Sequence, residues 1–487
     1  MSWLGIAMFV AAIATMIATG LPVYAVLLGI AGAFAVIGMA LGAFDWHLLT
    51  AMPSRIVGLL EHDLLQALPL YALIGALLNR LPLAQLLHES GERLFQRSPA
   101  CAQLSALGVG ALLAPMNGSV GASLHMLTRR VAPALAERGV APAEAAATVC
   151  IASTLGVVIP PSLVLLLLGD AMMRAHTEAV NATHAAVRIV NTQDVMRAAL
   201  LPGLGVLAAA LVLVAWRSRS RPRTALAPMP RAALAQAAGA ALVIAGLLGA
   251  VAVGRLYAIE AAAAGSLLLL AWGAIAHRLD RALLALVVGD AMALTGLLMA
   301  LLVGATSFSL VLRGFATDSL VAGALHALDA RPALMLATVL AGLVACSFVL
   351  DAFEMIFLVV PLVMPPLLSV VADAAWVAAL TLLVLQMGFL LPPLGYAIVM
   401  SRASSRTPPP LASLARALAP QLVAQALLIA AVFAWPAVTH WGAESEAKAL
   451  APPLSNEQAE RLMDDAFRRQ PPRDSGEANA PASGPAH

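Results

Sequence analysis

The chain has 487 residues, 61% of them hydrophobic and only 11% charged, and its 28 Lys and Arg against 26 Asp and Glu give a formal net charge of +2. Apolar segments of spanning length recur from end to end, which makes it a polytopic membrane protein. Arginines scattered between apolar segments form no basic face, which excludes nucleic-acid binding, and Cys101, Cys150 and Cys346 lack the spacing of a disulfide framework or a thiolate metal site.

The first segment, residues 3–19, has no basic leader and runs into a second at 21–44, so it reads as a first span and not as a cleaved signal. Residues 45–63 mix Trp46, His47, Arg55, Glu61 and His62 with leucines, the pattern of an interfacial amphipathic helix. Glu61, His62 and Asp63 read as a solvated turn, because no second ligand pair stands at helical spacing. A third span at 64–78 leads through a polar connection, 79–97, to an apolar stretch at 100–127 interrupted by PMNGSVGAS. Its Gly, Ser and Asn suit a turn inside the membrane, so the stretch reads as a re-entrant hairpin. Residues 147–169 are long enough to cross a bilayer but carry Pro160 and Pro161 in the middle, where each removes a helix donor and crowds the preceding turn. That helix must break. In lipid a broken backbone persists only where protein or a water-filled cavity satisfies it, so the break marks a candidate binding site.

A polar excursion is expected at 170–197, then a span at 198–216 and RSRSRPRTALAPMPR at 217–231, the densest positive cluster and strongest linker signal. Spans follow near 232–252, 257–276 and 284–312. Residues 332–368 hold Cys346, Ser347, Asp351, Glu354 and several prolines in apolar surroundings and resemble the first hairpin; 377–400 is a second span broken by Pro392 and Pro393. A last span ends near 435, and the tail, rich in Pro, Ala, Glu and Arg, is expected to be disordered. Gly118 and Pro160 lie 42 positions apart, Asp351 and Pro392 41, so each half runs hairpin, connection, broken span. That order is expected of a secondary transporter built from two repeats with its site between them. The expected fold is an all-α polytopic membrane protein with about 10–11 transmembrane helices plus two re-entrant hairpins in two inverted repeats. Its parts are a scaffold at 1–63, a first repeat at 64–216, the linker at 217–231, a second repeat at 232–436 and the tail at 437–487. With the linker in the cytoplasm, Arg80, Arg93, Arg97, Arg129, Arg130, Arg138, Arg278, Arg281, Arg402 and Arg406 fall on the same side, and both termini on the other.

A broken helix offers amides to anions and carbonyls to cations. Asn117, Gly118, Ser119 and Ser123 can place oxygens against Ser153, Thr154, Gly156, Pro160, Pro161 and Ser162, a donor set that suits a hard cation such as sodium without any carboxylate. Close helix packing by small residues is the competing reading. Asp351 is an ionisable group in an apolar segment, with Glu354 one turn away; either can bind sodium or cycle a proton, against a buried carboxyl held neutral. Gln386 can meet a substrate carboxylate or a helix carbonyl. Candidate solute contacts are thus Asn117, Ser119, Ser123, Ser162 and Gln386. Asp170, Glu260 and Asp290 read as interfacial and His125 as packed or snorkelling. There is no GxxxxGK[ST] loop, HExxH or nucleophile elbow with a partner, so neither ATP hydrolysis nor catalysis is expected, and no cofactor.

NGSVGAS, STLGVVIPPS, YAIEAAA, LDAFEMIFLVVPLVMP and LQMGFLLPPLGYA resemble the large permease subunit of the TRAP (tripartite ATP-independent periplasmic) transporters, over about residues 64–435. The polar run after LLLLGDAM resembles the longer, mannitol or chloroaromatic branch. The resemblance implies an elevator carrier of the bacterial inner membrane, coupled to sodium and moving a small carboxylate-bearing solute. It implies two partners: a small four-span membrane subunit, expected as a separate chain, and a soluble periplasmic solute-binding protein. It places cation sites at Asn117, Gly118 and Ser119 with the carbonyls around Pro160, and at Ser347 and Asp351 with those around Pro392. The family usually has Thr before the second proline pair, where this chain has Leu391, and glycine is common where Cys346 and Ser347 stand. A stand-alone ion-coupled anion carrier and a non-transporting membrane scaffold are the alternatives.

Overall fold

Apolar runs in lipid fold as helices because only a helix satisfies its own backbone. The computed structural model describes residues 2–440 except 61, 62, 185–187, 222–228, 329 and 406, and among these there is no strand. Glu61, His62, Arg406, the middle of the basic linker and the tail beyond 440 lie outside the described residues. Counting the bent pair Ala67–Arg80 and Leu83–Leu94 as one, eight elements are long and apolar enough to cross a membrane. The shorter apolar helix Ser2–Thr19 and the interrupted Ala374–Leu390 bring the described spans to ten.

Two helix pairs are too short to cross. Cys101–Leu113 and Val120–Arg130 reach about 20 and 17 Å at 1.5 Å per residue, against a hydrocarbon core of about 30 Å. Pro332–Cys346 is only slightly longer, and its return arm starts at Asp351, passes a wide π-type turn at Met355–Val359 and ends as Val360–Leu368. Each pair therefore turns back inside the membrane as a hairpin.

The proline pairs break their spans as expected, into Pro142–Val158 and Leu163–Thr183 and into Ala374–Leu390 and Tyr396–Ser404. Both Pro–Pro bonds are cis. The first broken span is the centre of the molecule: 94% of its apolar window is buried, against 22 to 39% for the other long helices. It packs against Ala374–Leu390, with Thr192–Arg217 and Leu411–Ala434 alongside. Val23–Ala40 and Ala67–Arg80 pack on the long helix Arg281–Gly314, and exposed residues such as Val36, Leu242 and Met292 present apolar faces to lipid.

Two expected elements are redrawn. The excursion at 170–197 shrinks, because Leu163–Thr183 carries straight through its first half. Asp170, Arg174 and Glu178 share one helical face at i, i+4 and i+8, with Asp170 and Arg174 paired at 3.0 Å, while Ala171, Ala175 and Ala179 are buried beside them. Helix resumes at Thr192, where Asn191 and Asp194 form a capping box. In the same way the polar connection at 79–97 is largely the helix Leu83–Leu94, bent by 67° from the span before it.

The halves cross over each other. Leu163–Thr183 packs on the return arm of the second hairpin, Val360–Leu368, and Tyr396–Ser404 packs on the return arm of the first, Val120–Arg130. Each break is therefore bracketed by elements of both repeats.

Candidate ion and solute site

The first hairpin turns through a short 3-10 segment, Pro115–Asn117, and Gly118, whose positive φ of 74° suits a residue without a Cβ. Ser119 then caps the return arm, its Oγ accepting from Ala122 N at 3.1 Å. Asn117 is fully buried, and with its carboxamide nitrogen turned to Gly75 O at 3.2 Å its oxygen accepts from Ser123 N at 2.9 Å. Its backbone carbonyl lies so close to Gly75 that a Cβ there would stand 2.7 Å from the oxygen. Asn117 thus locks the tip onto Ala67–Arg80. The Ser123 hydroxyl donates to Ser119 O at 3.0 Å, and His125 points outward, exposed.

The tip rests on the first broken span. Pro160 and Pro161 have no N–H to give the carbonyls of Gly156 and Val157, four residues back. At Gly156 the hairpin also comes close, a Cβ there meeting Ala114 O at 2.5 Å. Ser153 and Thr154 donate to Cys150 O at 2.8 Å and Ile151 O at 2.9 Å, which leaves their oxygen lone pairs available. After the break the Ser162 Oγ accepts from Leu165 N at 3.1 Å and caps the next helix. Thr154, Pro160 and Ser162 are all buried.

The second break repeats the design with other chemistry. Pro392 and Pro393 deny the carbonyls of Gly388 and Phe389 their helical N–H, Gly388 O accepting instead from Leu391 N at 3.3 Å, and Gly388 stands four residues before its proline pair as Gly156 does before Pro160. There too the hairpin makes its close approach, a Cβ on Gly388 lying 2.4 Å from Ser347 Oγ. Asp351 caps its arm, Oδ1 accepting from Phe353 N at 2.9 Å and Glu354 N at 3.0 Å, while Glu354 Oε2 accepts from Asp351 N at 3.0 Å. Pro392 is half-buried and Pro393 exposed.

Tyr396 joins the two assemblies. Its ring stacks edge-on against Phe389 at 5.9 Å, its hydroxyl reaches Gly121 on the first hairpin, and the carboxyls of Asp351 and Glu354 lie within electrostatic reach. Nothing in the sequence singled it out. Gln386 is not brought to either tip: two positions from Gly388, it faces the opposite side of its helix, where its Oε1 accepts from Gln425 Nε2 at 3.0 Å. Glu260 accepts from Tyr257 N at 3.0 Å, and Asp290 pairs with Arg80 at 2.7 Å, both at helix ends or outer faces. Among the described residues no three His, Cys, Asp or Glu gather to hold a metal.

Known proteins of this design are identifiable once the breaks and tips are compared. Residues 10–438 match the family described as Tripartite ATP-independent periplasmic transporter, DctM component. The chain belongs to this family. Its fold is similar to that of the YdaH transporter of Alcanivorax borkumensis, whose crystal structure is described as having an unusual topology. The TM-score is 0.59 at 16% identity, over 80% of this chain and 88% of that one. Comparison with curated proteins finds no sequence match. The protein is thus the large membrane component of a TRAP transporter, a multi-pass permease of the bacterial inner membrane and not an enzyme.

Proposed function

We propose that this DctM component carries a small carboxylate-bearing solute across the inner membrane in symport with sodium, by an elevator movement of the two hairpins and two broken spans. The solute is handed over by a periplasmic solute-binding protein, and a small four-span membrane subunit completes the permease. One observation carries the reading: each proline pair denies two carbonyls of the preceding turn their helical N–H, beside a glycine pressed against a hairpin, and Tyr396 links the second break to the first hairpin.

In this reading the first cation is held by the carbonyls of Asn117, Gly118 and the residues before Pro160, with the hydroxyls of Thr154 and Ser119. Oxygen ligands of this kind suit a hard monovalent ion. The second is held by Ser347, Asp351 and the carbonyls before Pro392. The solute carboxylate sits between the tips, near Ser119, Ser123 and Ser162, where helix N-termini favour negative charge. Gln386 has no place in this site.

Uptake into proteoliposomes containing the permease, its small subunit and the binding protein tests the proposal. Uptake is expected to need an inward sodium gradient and to collapse without the binding protein. Uptake that continues without it would identify a stand-alone carrier instead, and uptake driven equally by a proton gradient alone would remove sodium from the scheme.

A further inference from the structure

Two cavities follow one another along the same two helices on the arginine-rich, cytoplasmic side of the first repeat. The outer one, of about 550 Å³, lies between Leu83–Leu94 and the foot of the first hairpin and is reached by Met229 and Pro230 from the start of Arg231–Ala252. Four arginines line it against three glutamates. Arg138 is committed to the buried Glu92 at 2.8 Å, whereas Arg129 has no partner among the described residues. His88 also lines the cavity, only 1% exposed, with neither ring nitrogen hydrogen-bonded and Glu92 Oε1 no closer than 3.7 Å. Buried polar groups without a protein partner call for a ligand or ordered water.

The inner cavity is a groove of about 280 Å³ within the membrane, lined almost wholly by apolar side chains of Arg231–Ala252 and Ala258–Ile275. Leu83 borders it, two residues before Gln85 of the outer cavity, and Gln236 borders it one and a half turns beyond Pro230. At its inner end it reaches Met116, in the turn of the first hairpin. A net-positive polar chamber at the interface above an apolar groove matches an amphiphile with an anionic head, and anionic lipids populate the cytoplasmic leaflet.

We propose that the two cavities together bind one anionic phospholipid, its phosphodiester beside Arg129 and His88 and one acyl chain along the groove to Met116. Such a lipid touches both ends of the hairpin's return arm, since Arg129 closes the helix that begins just after the turn. It therefore links bilayer composition to the hairpin that rests on the first break.

The test uses the full-length protein purified in detergent, with thermal unfolding read as phosphatidylglycerol, phosphatidylcholine or inorganic phosphate is added. Phosphatidylglycerol is expected to raise the melting temperature at concentrations where the other two do not. Arg129→Gln should raise its half-saturating concentration about fivefold, the effect of one interfacial arginine. Gly239→Phe, placed where no atom stands within 4 Å of a Cβ, should fill the groove without straining the fold and abolish the shift. Native mass spectrometry should show phosphatidylglycerol retained by the wild type and lost from Gly239→Phe. Equal shifts with phosphatidylcholine, a shift reproduced by inorganic phosphate alone, or a shift surviving in Gly239→Phe would each overturn the proposal.

Discussion

Gly388 and Gly156 occupy the same position before their proline pairs, yet a methyl group added to each meets a different obstacle. At Gly388 the new Cβ would lie 2.4 Å from Ser347 Cβ and Oγ, with the Ser347 Cα 3.8 Å away; at Gly156 it would lie 2.5 Å from Ala114 O and 2.6 Å from its carbonyl carbon. Ordinary contact begins at 3.4 Å, so alanine at either site pushes a hairpin turn off its broken span. Overpacking of this kind costs about 1–3 kcal/mol, and Gly→Ala in a helix returns about 0.5–1 kcal/mol, leaving a net loss of about 0.5–2 kcal/mol. Trimming Ser347 to glycine removes the obstacle at Gly388, so Gly388→Ala with Ser347→Gly should recover, with a coupling of at least about 1 kcal/mol. No side-chain trimming should rescue Gly156→Ala, because it meets backbone. Gly246→Ala, with no atom within 4 Å, is the control and should be neutral or slightly stabilising. Thermal unfolding gives the stabilities and proteoliposome uptake the activities. If Gly388→Ala behaves like Gly246→Ala, or if the losses at 388 and 347 simply add, the docking of the second turn on its break is refuted.

Two further outcomes follow from single contacts. Asp351→Asn keeps an oxygen to accept from Phe353 N and Glu354 N, so it should fold normally while uptake loses its sodium dependence; Asp351→Ala should also lose about 1 kcal/mol of capping in a melting experiment. Arg138→Gln leaves Glu92 buried and uncompensated and should cost about 3–5 kcal/mol, whereas Arg313→Gln, which breaks an exposed pair with Glu178, should cost under about 1 kcal/mol in the same assay.

The breaks and hairpins were legible in the sequence because proline acts on its own neighbours: a missing N–H and a clash four residues back need no tertiary context. The glycine before each proline pair was equally legible, in GVVIPP and GFLLPP, once the two segments are aligned on their prolines. Leu163–Thr183 was not. Its charges read as an excursion from the membrane until the fold sets them in a cavity of about 290 Å³, opposite Arg55 and Arg313 from other elements. Gln386 fails for a similar reason, since the residue that settles its side of the helix is Gln425, 39 positions away. Tyr396 depends on the crossing of the two repeats, which no local pattern encodes.

The two breaks share a plan but not a donor set, and the difference predicts how each responds to substitution. The first is buried throughout and surrounded by the neutral oxygens of Ser153, Thr154 and Ser162. The second is half open at Pro392 to Leu394, has no side-chain cap at Gly395, and relies on Ser347 and two carboxyls. Leu391 is the place to repair it: its backbone is extended at φ −74° and ψ 117°, its side chain is half-buried, and both its amide and its carbonyl are hydrogen-bonded within the break. Threonine accepts such a backbone and adds one hydroxyl beside the carbonyls before Pro392. Leu391→Thr is therefore expected to melt near the wild-type temperature while lowering the sodium concentration that half-saturates uptake by about two- to tenfold, the effect of one added hydrogen-bond-strength ligand. The equivalent change at the first break, Ile159→Thr, should do less, because Ser162 and Thr154 already supply hydroxyls there. An unchanged sodium dependence in Leu391→Thr, with folding intact, would mean that the carbonyls before Pro392 do not face the ion.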